Sequence, residues 1–145
     1  QTGNISKIHA WFSAVSGTPT ISGSVEGVAA GRTPDGTLVN AGATVNVVTP
    51  TAGVWTTFTL GTVAAVTLGE QVSAVIRYVS GATSATVDYG YGTASIPWGG
   101  PYLFFQSAGT YSRNVGLEPT IAVEYEDGTV VGSPYRSSSI SSSWT

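Results

Sequence analysis

The feature that most restricts this chain is a hydrophobic period of two, repeated along most of its length, with no window of period 3.6. In "SKIHAWFSA" (6–14) Ile8, Ala10, Phe12 and Ala14 share one face, and Lys7, His9 and Trp11 share the other. "TISGSVEGV" (20–28) sets Ile21, Gly23 and Val25 against Ser22, Ser24 and Glu26. "GVWTTFTLG" (53–61) places Val54, Thr56, Phe58 and Leu60 together, and "EQVSAVIRYVSG" (70–81) does the same for Val72, Ala74, Ile76 and Tyr78. "ATVNVV" (43–48) is a further β-rich run, and "PTIAVEYEDGTVV" (119–131) turns Ile121, Val123 and Tyr125 inward. The breaks between runs carry turn chemistry: Pro-Asp-Gly within 33–39, Asp-Gly at 127–128, and a Gly turn near 81 that predicts a hairpin from 70–81 into 82–92. About eight short strands with glycine-rich turns predict an all-β, antiparallel sandwich or barrel.

Composition narrows the partners. Only 9% of the 145 residues are charged, against roughly 25% in ordinary soluble domains. The five basic residues, Lys7, Arg32, Arg77, Arg113 and Arg136, stand singly in a chain of net charge −3. Nucleic acid requires a clustered cationic face to release counterions, and an anionic membrane surface requires a polybasic patch, so neither partner is expected. No apolar run reaches the ~18 residues a membrane-spanning helix needs. With no cysteine there is no disulfide, thiolate nucleophile or Cys-based zinc site. The polar run "SSSISSSWT" (137–145) reads as a linker, which suggests a sandwich over 1–132 and a Ser-rich tail, 133–145, leading to a further domain. The start at Gln1 fits a processed chain or a segment of something longer.

Chemistry-bearing residues are few. His9, the single histidine, falls on the outward set of its strand and reads as solvated, with no G-x-S-x-G elbow to partner it. Asp35 and Asp127 belong to Asp-Gly turns, Glu26 and Glu124 to outward strand positions, and Glu70 to a loop before a strand. No opposed carboxylate pair stands out, so the expectation is a non-catalytic protein. Glu124 and Glu126, on one face, with Asp127 at the turn, form a possible calcium site, since two like charges side by side call for a cation or a basic partner. The alternative is solvation on an exposed edge. "NIS" at Asn4 fits an N-glycosylation acceptor, which has meaning only in a eukaryotic secretory context.

"YGYGTASIPWGGPYLFF" (89–105) concentrates the aromatic rings. Tyr89 and Tyr91 share a face, with Asp88 beside them as the one acid flanking the stretch. The prolines and glycines of "IPWGGP" (96–101) break any ladder, which leaves Trp98 in a loop before Tyr102. Most of these rings are expected to fill or cap the core. Trp98, Tyr102, Tyr91, Tyr89, Asp88 and, on the first strand, Trp11 are the candidates for ligand or interface contact. A strand with rings on both sides suits a subunit interface, and flat rings beside an acid suit a sugar platform.

"RTPDGTLV" (32–39), "GVWTTFTLGTVAAVTLGEQVSAVIRY" (53–78) and "PTIAVEYEDGTVV" (119–131), in that order, resemble the jelly-roll modules of bacteriophage virion proteins and of related bacterial surface proteins. The resemblance spans most of residues 5–131 and rests on turn glycines and packing residues such as Trp55, Phe58 and Leu60. It implies a jelly roll serving as a decoration, tail or fibre component, or as a carbohydrate-binding domain. The implied location is a virion or a cell surface. The implied partners are like subunits or other virion proteins, with a polysaccharide as the other possibility.

Overall fold

A computed structural model describes residues 3–30, 33–81, 85–87, 89–91, 103–107, 110–114, 117–119 and 121–132, with the strand backbones alone between 85 and 119. Trp98, Tyr102, Asp88 and the 133–145 tail lie outside the described residues, and Tyr89 and Tyr91 are described by backbone only.

Among the described residues there is no helix, and the strands are arranged antiparallel. The first sheet runs β13 (Val130–Gly132), β12 (Ile121–Tyr125), β1 (Gly3–Val15), β5 (Trp55–Val66), with β7 (Ala85–Val87) against the far end of β1. The second centres on β2 (Thr20–Val28). One side of β2 carries β6 (Val72–Ser80); the other carries β4 (Thr44–Val48) and then β3 (Pro34–Leu38). Two further ladders pair β9 (Leu103–Ser107) with β10 (Thr110–Asn114), and β8 (Tyr89–Tyr91) with β11 (Leu117–Pro119). Thirteen strands are therefore described, where periodicity suggested about eight; several of the additional ones are three residues long, too short to show a period.

The core lies between the two sheets. Ile5, Ile8, Ala10 and Phe12 of β1 meet Phe58, Leu60, Ala64 and Val66 of β5, with Ile21 and Val25 of β2 opposite and Ala43 at the border. Phe12 and Phe58 pack with ring centroids 6.4 Å apart. Gly23 makes the close approach of the sheets possible: a Cβ there would sit 2.8 Å from the Phe58 ring, nearer than any real contact. At the border the Thr62 N–H donates to the Gly42 carbonyl at 2.8 Å, stitching β5 to the turn that leads into β4.

Alternation alone misplaces several residues. The register of β1 against β12 slips by one between Ile5 and Lys7, a bulge at Ser6, so Ile5 and Ile8 both enter the core although they are an odd three positions apart. A second slip follows Phe12, and Ala14, expected inside, is exposed. Val54 is exposed because β5 begins only at Trp55, after Gly53 at φ 77°. Tyr78, at the end of β6, is also exposed, with its hydroxyl donating to the Gly81 carbonyl.

Two turn expectations change as well. Asp35-Gly36 lies inside β3, where it forms a bulge opposite Gly27 rather than a link between strands. The Thr37 N–H donates to Asp35 Oδ1 at 2.7 Å, and a Cβ at Gly27 would collide with the same carboxylate. The predicted hairpin after β6 is not formed: β6 pairs with β2 and β7 with β1, so the chain crosses from one sheet to the other there. It also changes sheet between β1 and β2, β4 and β5, and β5 and β6. A sandwich buries one face of each sheet, and these crossings are how successive strands share one core.

Candidate functional site

The outward faces of the two sheets were expected to be solvated. Each instead carries a carboxylate held by a base. On the second sheet Glu26 is fully buried, against the expectation of an outward, solvated acid. Arg77 from β6 grips it with both terminal nitrogens, Nη2 to Oε2 at 2.9 Å and Nη1 to Oε1, and the Ser24 hydroxyl donates to Oε1 at 2.8 Å. The partner is 51 residues away in the chain, so period-two counting on β2 could not reveal it.

The first sheet gathers more chemistry. The bulge at Ser6 leaves Lys7, His9 and Trp11 on its outer face, and register sets them beside Glu124 and Ala122 of β12 and Thr59, Thr57 and Trp55 of β5. Lys7 Nζ donates to Glu124 Oε1 at 2.6 Å. His9 Nε2 lies 2.9 Å from Glu124 Oε2, and its Nδ1 lies 3.0 Å from Thr57 Oγ1. His9 is thus not a solvated residue: its side chain is 7% exposed, closed in by groups from strands 48 and 115 residues away.

The protonation states follow from these contacts. Burial lowers the His9 pKa below its ordinary value, although Glu124 pulls it the other way. Burial pushes the Glu124 carboxyl up, but hydrogen bonds and charge from Lys7 and His9 together outweigh it and hold the group below the usual range. An ionised Glu124 and a neutral His9 require Nε2–H to donate to the carboxylate and Nδ1 to accept from the Thr57 hydroxyl. Hydroxyl, imidazole and carboxylate thus stand in the order used by a nucleophile, its base and an orienting acid. Here, however, Thr57 sits within a regular strand, and Lys7 occupies the other carboxylate oxygen. What the relay does on these contacts is tie β5, β1 and β12 together side chain to side chain.

Next to it, Trp11 and Trp55 are directly paired across β1 and β5, with ring centroids 5.8 Å apart and planes at 80°, an edge-to-face contact. Both are half-buried. Trp55, which the motif reading assigned to packing, faces outward beside the candidate Trp11. Its odd-numbered place relative to Thr56 and Phe58 was the signal available.

The acids of the suggested calcium site do not converge. Glu124 is occupied by Lys7 and His9, Glu126 accepts from Asn4 Nδ2 at 2.6 Å, and Asp127 Oδ1 accepts the Thr129 N–H at 2.8 Å. Among the described residues no three His, Asp or Glu side chains are grouped to hold a metal ion. β12 is also not the exposed edge envisaged, since β1 and β13 flank it. The basic partner that two neighbouring carboxylates call for is Lys7. No family model, curated protein or solved structure matches the chain, so any functional reading has to rest on the chemistry of these faces.

Proposed function

We propose that this chain is a non-catalytic structural or adhesion module of a phage virion or comparable surface assembly, a decoration, tail or fibre component with jelly-roll topology, that acts through protein–protein contacts. The observation that carries this reading is the disposition of charge. Among the described side chains both bases are matched by an acid, Lys7 with Glu124 and Arg77 with Glu26, His9 also bonds Glu124, and the other carboxylates accept hydrogen bonds within the chain: Glu126 from Asn4, and Asp35, Glu70 and Asp127 from turn N–H groups. Such a surface offers hydroxyls and scattered apolar groups, among them Val54, Leu68, Tyr78 and Val79, with its uncompensated charge confined to carboxylates at turns and strand ends. Interfaces deplete Lys, Glu and Asp at their centres, so strand faces whose bases are already matched carry a low desolvation cost on assembly. The virion setting and the jelly-roll topology are supported by the resemblance of 32–39, 53–78 and 119–131 to phage modules. Light scattering over a range of concentrations tests the reading: a trimer or larger particle that persists at high salt is expected, and a strict monomer would overturn it.

A further inference from the structure

We propose that the outer face of the first sheet, centred on Trp11 and Trp55, binds a neutral saccharide. This goes beyond the assembly reading and does not depend on it. Three observations meet on this face. The paired indoles lie edge to face across β1 and β5, and each keeps a further contact within the chain, so their orientation is set before any ligand arrives. Along β5 from Trp55, Thr57 and Thr59 follow at every second position with exposed side chains, hydroxyls about 7 Å apart of which Thr57, its proton given to His9, can accept and Thr59 can donate or accept. Across β1 stands Glu124, its side chain 21% exposed and its charge matched by Lys7.

A sugar ring is an amphipathic disc, with C–H groups on its faces and hydroxyls around its rim. The face presents the same two characters in the same order: apolar indole first, then hydroxyls and a carboxylate. Other occupants fit less well. A polyanion gains nothing where the one lysine is already matched by Glu124. An apolar protein surface would strip water from the Lys7–Glu124 pair without replacing its hydrogen bonds, whereas sugar hydroxyls replace them. Because Lys7 and Glu124 cancel, a neutral saccharide suits the site better than an acidic one.

Affinity electrophoresis of the full chain in gels containing soluble β-glucan, xylan, mannan or galactan, with polygalacturonate as the anionic comparison, tests this. Retardation by at least one neutral polysaccharide is expected, weakened tenfold or more in Trp55→Ala and several-fold in Thr57→Val, with circular dichroism and particle mass unchanged. If Trp55→Ala does not fold, the conservative Thr57→Val variant decides. Any of four results overturns the proposal: no retardation by a neutral polysaccharide, retardation by polygalacturonate alone, binding that survives both variants but is lost in Trp98→Ala, or a change of particle mass in Trp55→Ala, which would make the face a subunit contact.

Discussion

Glu26 and Glu124 occupy equivalent places, each on the outward side of a central or near-central strand and each gripped by a base on the neighbouring strand, yet their surroundings differ. Glu26 is fully buried and held by a two-pronged guanidinium, a partner that stays charged at any working pH. Glu124 is partly open to water and divides its oxygens between an ammonium and an imidazole, whose pKa burial holds below its ordinary value. Position in the strand pattern is therefore a poor guide to an ion pair's energetic weight. Burial sets the cost of breaking it, and the identity of the base sets its response to pH.

The sharpest way to break the comparison is to remove the base on the second sheet. Arg77→Met leaves Glu26 buried without its counter-charge and is expected to cost about 3–5 kcal/mol in urea unfolding, while the double change Glu26→Leu with Arg77→Met recovers most of that loss. The corresponding change on the first sheet, Lys7→Met, is expected to cost only about 1 kcal/mol, because water reaches the pair. Equal losses at the two sites would show that exposure is not the deciding variable.

A pH series sharpens the contrast further. The folded His9 pKa lies below its unfolded value of 6.5, so folded protein binds protons less readily than unfolded chain. Stability is then unaffected by His9 above pH 6.5 and falls as pH drops from there through the lower folded value. Glu124, whose folded pKa lies below 4.5, contributes stability above that pH and loses it on further acidification. Stability measured from pH 7.5 to 5 should decline in the parent chain and stay flatter in His9→Gln; parallel curves would remove His9 from the account. The smallest effect is expected at Asn4→Ala, which deletes an exposed hydrogen bond to Glu126 and should shift stability by less than about 0.5 kcal/mol.

Much of the sandwich could be read in advance where a strand keeps strict alternation. Thr56, Phe58 and Leu60 are buried as their spacing indicates, as are Ile8, Ala10 and Phe12, and Ile21, Gly23 and Val25. The reading failed after Phe12, where a bulge resets the count and exposes Ala14, since a one-residue slip turns the remaining side chains to the other face. It failed again at the 81–84 connection, because a glycine turn is compatible both with a hairpin in one sheet and with a crossing to the other. Of the candidate site, Trp11 was named and Trp55 was not, although the same alternation puts both on outward positions. The two lie 44 residues apart in the chain and side by side in the sheet, a juxtaposition that register alone creates.

What this sequence determines by itself is its class: period-two patterning and turn-forming glycines leave strands as the only economical structure, and sparse charge leaves a surface made mostly of hydroxyl and apolar groups. Tertiary structure alone decided that Glu26 and His9 are buried, that Glu124 answers to Lys7 rather than to Glu126, and that Trp11 meets Trp55. Each of these depends on which strand lies alongside and in what register. Register is a long-range property, settled when two sheets close over one core, and the local pattern of apolar and polar residues carries only half of that information.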